Sequence, residues 1–294
     1  MVTKSVAIIG AGRVGSSLGF LLNKAGYTIT TVISRTLDSA EMASAFIGSG
    51  EPTTDLSAAA SSEIVVIATP DRAIREVCVR IAAAGLRTGS LVAHTSGAHT
   101  LDLLTAAAAK GAYRAVLHPL QSLASREQGI KTLPGSYFRI EADPAGMATA
   151  KEIVRALGGI ELVMSQWTQD NDSAALYHAG AVAVSNYFVA LVDYGLKFYQ
   201  ALGADKKEAL RAVLPLIRGT LSNIETLGIP EALTGPIMRG DIATVRGHLT
   251  AMQKRIPELA GLYKELARQT VALALEKGSI TLDTAEELLK AVKE

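Results

Sequence analysis

Gly10, Gly12 and Gly15, within Ser5–Gly19 (SVAIIGAGRVGSSLG), have the G-x-G-x-x-G spacing of a backbone that can wrap a pyrophosphate. Each glycine answers a physical need. Gly10 permits the tight turn out of a strand, Gly12 leaves no side chain between backbone and phosphate, and Gly15 lets the next helix pack close to the strand. The apolar run Val6–Ile9 supplies the strand. A helix starting near Arg13 and Val14 aims its N-terminal N–H groups and positive dipole end at the ligand. The second strand, Thr28–Ile33, ends in Ser34-Arg35-Thr36. An NAD-specific unit places Asp or Glu there for the ribose 2′-hydroxyl. No acid comes before Asp38; a guanidinium and two hydroxyls stand there instead, a set suited to a 2′-phosphate dianion. The pattern predicts a dinucleotide site that prefers NADP to NAD, against the blander readings of a ligand-free glycine turn and a solvated Arg35.

Proton chemistry beside such a site needs a group that titrates or donates, and histidine is the first candidate. His118 ends the strand Tyr113–His118; it either works on a substrate or caps its strand. His178 lies on a long helical run with Ser185 and Asn186. At about 100° per residue the three project from one broad face of an otherwise apolar helix, where they either meet a substrate or bridge helices. Arg239, in Gly235–Asp241 (GPIMRGD), would clamp a carboxylate or make a surface ion pair. His94 reads as a satisfied core histidine, His248 as structural, and Gln166 and Trp167 as junction packing. Cys78 shares an apolar helix face with Ile74, Val77 and Ile81. No cluster has metal-ligand spacing, so no metal is expected.

The elements that must position these residues are legible in the hydrophobic pattern. Strands are expected at Glu63–Thr69, Ser90–Ser96, Tyr113–His118, Tyr137–Ala142 and Ile160–Ser165, alternating with helices at Leu37–Ile47, Arg72–Ala84 (N-capped by Asp71), Leu101–Ala109 and Ala145–Leu157. That alternation implies a doubly wound, mostly parallel α/β sheet of the Rossmann-like kind. Ligands sit outside the carboxyl ends of its strands, so Ala68, Thr69, Pro70, Thr95 and Ser96 join the cofactor-lining candidates. After Ser165 no strand is expected. One helical run covers Asp170–Leu202, and further helices are expected at Lys206–Leu227, Ile242–Gln253, Glu258–Glu276 and Leu282–Val292. The layout is a dinucleotide domain over 1–165 and an all-helical C-terminal domain over 166–294. Ala174–Leu202 is too apolar for a helix with one wet face and is expected to be buried in its domain or across a homodimer interface.

Of the 294 residues 49% are hydrophobic, enough for substantial cores, and the net charge of +1 gives no electrostatic case for nucleic acid or an anionic membrane. One cysteine excludes an intramolecular disulfide. No signal peptide and no apolar run of about 18 residues is recognised, so a cytoplasmic protein is expected.

Four stretches carry a family resemblance: VAHTSGAHTLDLL, AVLHPLQSL, LYHAGAVAVSNYFVALVDYG and LTGPIMRGDIATVRGHL. They resemble a family that pairs a Rossmann-like domain with a helical domain of unknown function, labelled NADP oxidoreductases, some of which act as an alternative ketopantoate reductase. The wider likeness is to 6-phosphogluconate dehydrogenase, ketopantoate reductase, pyrroline-5-carboxylate reductase and prephenate dehydrogenase. The resemblance spans nearly the whole chain. It implies an NADPH-dependent reductase of a small carbonyl compound, plausibly a 2-oxo acid such as ketopantoate, with a cyclic-imine reductase or a catalytically silent NADP-binding sensor as alternatives. It also implies a homodimer, as in pyrroline-5-carboxylate reductase. His118-Pro119 and Ser96 match functional positions of prephenate dehydrogenases. The Lys-x-x-x-Asn of common ketopantoate reductases is not kept, since Val182 stands four residues before Asn186. The expected assignment therefore makes His118 or His178 the proton donor and gives Ser96 the carbonyl oxygen. Asn186 orients the substrate and Arg239 neutralises its carboxylate.

Overall fold

The computed structural model describes residues 4–293 and divides into two compact units, Met1–Ser185 and Asn186–Glu294. In the first, β1 (Ser5–Ile9), α1 (Arg13–Lys24), β2 (Thr28–Ile33), α2 (Leu37–Ile47), β3 (Glu51–Thr53), β4 (Ile64–Ile67), α3 (Asp71–Ala83), β5 (Leu91–His94) and α4 (Thr105–Ala108) follow in order. Then come β6 (Tyr113–Pro119), α5 (Arg126–Thr132), β7 (Tyr137–Ala142), α6 (Met147–Ala156), β8 (Ile160–Glu161) and α7 (Asn171–Val184). The eight strands form one sheet in the order β3-β2-β1-β4-β5-β6-β7-β8. All pairs are parallel except β6 with β7, which run antiparallel.

Strand alternation sorts the side chains into two layers. Val6 and Ile8 join Leu18, Leu22 and Ile47 on one face, while Ala7 and Ile9 join Ile74, Cys78 and Ile81 on the other. Burying each large aliphatic side chain is worth about 1.5–3 kcal/mol, so both faces hold helices and the strand ends are left for a ligand. Leu117 and Phe138 belong to the first layer. Their neighbours His118 and Arg139 therefore point to the opposite face, and the antiparallel register sets these two residues directly opposite one another.

Several local expectations change. Asp71 is the first residue of α3 and not its N-cap; Pro70 holds the cap position and makes no side-chain bond. The last strand stops at Glu161. Three elements were not foreseen: the short edge strand β3, whose Pro52 an edge position tolerates, a 3-10 turn over Leu56–Ala59, and α5, capped by the Ser125 hydroxyl. The helical run after Asp170 is interrupted at Ser185, whose backbone (φ −116°, ψ −70°) leaves the helix. α7 groups with the sheet, so the first unit ends at Ser185 and not near residue 165.

The second unit contains α8 (Asn186–Gln200), α9 (Lys206–Leu227), α10 (Ile242–Arg255), α11 (Ala260–Glu276) and α12 (Leu282–Lys293). Its core is built by Val245, Val271, Leu288 and Val292 with Ile237. Asp205 and Asp241 cap α9 and α10 through their carboxylates. α8 buries only Leu196 and α9 only Ala209. The burial expected for Ala174–Leu202 is thus not met within the single chain. Asn171–Gln200 also contains an 18-residue window of mean hydropathy 1.4, which meets a length-and-composition test for a membrane-spanning helix, contrary to expectation. Its second half carries Asp193, bonded to Lys206 at 2.6 Å, a charge that hydrocarbon would penalise.

Candidate functional site

The turn between β1 and α1 is shaped by its three glycines. Gly10 has φ +108°, and a Cβ there would lie 2.6 Å from the Ala68 carbonyl oxygen. A Cβ on Gly15 would collide with the Gly10 carbonyl, whereas one on Gly12 would meet nothing within 4 Å. Gly12 therefore faces open space at the start of α1, a helix with no side-chain cap and no acid in its first turn. Its first N–H groups are free for an anion. Across the turn, the Thr69 hydroxyl at the end of β4 is buried with no hydrogen-bond partner. At the end of β2, Arg35 is exposed and makes no ion pair among the described residues. Thr36 is partly committed, because its hydroxyl caps α2 and donates to Ser39 at 2.8 Å. These features fit a phosphorylated dinucleotide: an open backbone cradle, an uncapped helix start, an orphaned hydroxyl and an unpaired guanidinium.

Beyond the ends of β5 and β6 lies a polar cluster. His94 is fully buried; its Nδ1 accepts from the Ser96 N–H at 3.1 Å and its Nε2 donates to the Thr100 carbonyl at 3.0 Å. Burial pushes its pKa down to about 4, so this ring is a neutral strut. The Ser96 hydroxyl accepts from the Ala98 N–H at 3.3 Å. His118 Nδ1 lies 2.8 Å from the Tyr177 hydroxyl. Burial first, then the charge of Arg139 and the neighbouring His178 and His94, push the His118 pKa down to about 4. At neutral pH the ring is therefore uncharged. With Nδ1 accepting from tyrosine, the neutral ring carries its proton on Nε2. A Cβ on Gly97 would lie 2.7 Å from that Nε2 and 2.8 Å from Nδ1 of His178, so both imidazoles converge on the bare backbone of Gly97. The His178 Nδ1 is buried with no partner.

Three residues of the cluster were not singled out by sequence: Tyr177, Arg139 and Glu141. Arg139 is 1% exposed, donates to the carbonyls of Gly97 (3.4 Å) and His99 (2.5 Å), and stacks 4.8 Å from the Trp167 ring and 5.6 Å from that of Tyr177. Glu141 lies 3.8 Å away and is equally buried. Burial lowers the arginine pKa and raises that of the glutamate, each opposed by its partner. The signal was available: YFRIEA puts two charges at alternate positions of a strand, and so on one face. Trp167 is thus more than junction packing. Asn186 and Arg239 belong to the second unit, where both are exposed. His248 is there too, its Nδ1 2.7 Å from the Tyr263 hydroxyl.

The model of a Rossmann-like domain matches residues 2–119, and that of DUF2520, a domain of unknown function, matches residues 136–270. The chain pairs a Rossmann-like domain with a DUF2520 domain. The histidine cluster is made where the two matches meet: Gly97 and His118 come from the Rossmann-like domain, and Arg139, Trp167, Tyr177 and His178 from the DUF2520 domain. No curated protein matches the sequence. Among solved structures, a protein from Thermotoga maritima is 24% identical with a TM-score of 0.72, covering 92% of this chain and 99% of that one. A pyrroline-5-carboxylate reductase from Coxiella burnetii is 19% identical, with a TM-score of 0.57 and coverage of 97% and 98%. A reductive aminase from Aspergillus terreus, solved with NADPH and ethyl-5-oxohexanoate, is 18% identical, with a TM-score of 0.63 and coverage of 97% and 98%. At these identities the likeness shows the fold.

Proposed function

We propose that the protein is an NADPH-dependent reductase of a small carbonyl compound. The observation that carries this reading is the placement, on one sheet edge, of an open phosphate cradle at Gly12 and a neutral His118 whose Nε2 faces the gap at Gly97. The name of one similar structure, the reductive aminase solved with NADPH, supports the cofactor. The residues that would hold it are Gly10–Gly15, Ser34–Thr36, Ala68–Pro70 and Thr95–Ser96, and when bound it supplies the hydride. The protein supplies the proton. As negative charge develops on the substrate oxygen, His118 Nε2 donates its proton to that oxygen and Nδ1 takes the proton of the Tyr177 hydroxyl. The ring stays neutral throughout. The charge ends on the Tyr177 oxygen beside the Arg139 guanidinium, and solvent later returns the proton. The Tyr177 pKa is pushed up to about 12 by burial, against the pull of Arg139, which leaves it more acidic than an alkanol and so a competent ultimate donor. This relay needs no lysine at Val182.

A 2-oxo acid such as ketopantoate is the substrate class we favour. A cyclic imine is the second reading, favoured by the name of the Coxiella relative. NADPH oxidation should be followed against a panel of 2-oxo acids and imines. Turnover of either class supports a reductase, and NADPH binding without any turnover would instead favour a sensor.

We further propose a homodimer in the cytoplasm. α8, α9 and the turn between them leave Val189 69%, Leu202 71% and Leu216 66% exposed, an apolar excess that a second copy would cover. The lone cysteine, buried Cys78, suits a reducing compartment. A monomer mass by light scattering at micromolar concentration would refute the dimer.

A further inference from the structure

The segment between the two matched domains, residues 120–135, is assigned by neither, yet it walls a cavity of about 400 Å³. Gly12 and Arg13 of the glycine turn, Ser39 and Met42 of α2, and Ser125 and Arg126 line it. We propose that Arg126, with Arg13, forms a phosphomonoester pocket that takes the 2′-phosphate of the cofactor, so that preference for the phosphorylated dinucleotide is set from α5 as well as from Arg35. This rests on the NADPH reading above.

Position is the first argument. Ser39 lines the cavity and receives the hydrogen bond of Thr36, so the cavity adjoins the Ser34-Arg35-Thr36 stretch where a 2′-phosphate is expected. Charge is the second. Two guanidinium groups line the cavity against one acid, Glu127, whose Oε1 lies 3.4 Å from Arg126 Nε. Preorganisation is the third. Arg126 Nη1 donates to the Met42 carbonyl at 3.2 Å and its guanidinium lies 5.2 Å from the Phe46 ring centroid. Nη2 makes no hydrogen bond among the described residues. Behind it, the Ser17 hydroxyl lies 3.2 Å from the Arg126 carbonyl, and a Cβ on Gly129 would collide with that hydroxyl. α5 is thereby seated on α1, and Arg126 presents a fixed donor edge. A dianion meeting such an edge gains charge-assisted hydrogen bonds without ordering a free side chain.

The test is calorimetric titration of NADPH, NADH and adenosine 2′,5′-bisphosphate into wild type, Arg126→Met and Glu127→Gln. Arg126→Met is expected to weaken NADPH and the bisphosphate about tenfold and NADH less than about twofold. Glu127→Gln, which removes the competing carboxylate and leaves Arg126, should tighten NADPH without tightening NADH. Equal weakening of NADPH and NADH by Arg126→Met would place the arginine on the shared pyrophosphate and overturn the proposal. An unchanged NADPH affinity would overturn it too. Should Arg126→Met not fold, Glu127→Gln decides alone, and no change in the NADPH-to-NADH ratio refutes the pocket. Wild type with no preference for NADPH would refute the cofactor reading itself, an outcome distinct from a preference that survives Arg126→Met.

Discussion

The Tyr177 hydroxyl lies 2.8 Å from Nδ1 of His118, joining the last strand residue but one of β6 to the middle of α7. With the tyrosine hydroxyl donating across that contact, the neutral imidazole keeps its proton on Nε2. Arg139 sits beneath both, paired with His118 in the strand register and stacked on the tyrosine ring.

Acid should destabilise the fold through His94 and His118. Both have pKa values of about 4 in the folded chain against 6.5 ordinarily. The unfolded state therefore binds more protons between these values. Their contribution, of order 3 kcal/mol each, is present above pH 6.5 and lost as pH falls towards 4. The melting temperature should drop steeply across that window and less steeply in His118→Asn. No limb from His118 is expected near neutrality in the pH profile of kcat.

Gly97→Ala places a methyl group against His118 Nε2 and His178 Nδ1. We expect kcat to fall at least about tenfold, with NADPH affinity unchanged and a stability cost of about 1–3 kcal/mol for overpacking. Steady-state kinetics beside calorimetry measures both.

Arg139→Met leaves Glu141 buried without its counter-charge and should cost about 3–5 kcal/mol by denaturant titration. The double variant Arg139→Met with Glu141→Leu should recover most of that stability. It should not recover kcat, because the charge beside Tyr177 is still missing.

The glycines of the turn should separate by role. A Cβ on Gly12 meets nothing within 4 Å, so Gly12→Ala should melt like wild type and weaken NADPH binding. Gly15→Ala drives a methyl into the Gly10 carbonyl and should lower the melting temperature.

The sheet was legible because Val6–Ile9, Ile64–Ile67 and Leu91–Ala93 are apolar on both faces, as strands covered by helices must be. The glycine turn was legible because the backbone geometry at Gly10 and Gly15 excludes other residues. The histidines were found as types, but their protonation was not, since burial and the charge of Arg139 are tertiary facts. Arg139 itself was hidden in a strand that looked like core. The helix break at Ser185 carries no proline or glycine to announce it, so the helical phase was run through it to Asn186. β3 is three residues long and has too little periodicity to detect.

The most direct test of the account is kcat for NADPH oxidation, with whichever carbonyl or imine is turned over, in wild type, His118→Asn and Tyr177→Phe. The relay predicts a loss of about two orders of magnitude in each variant, with NADPH affinity within about twofold of wild type. Near-wild-type kcat in both would contradict it and move the proton source away from His118.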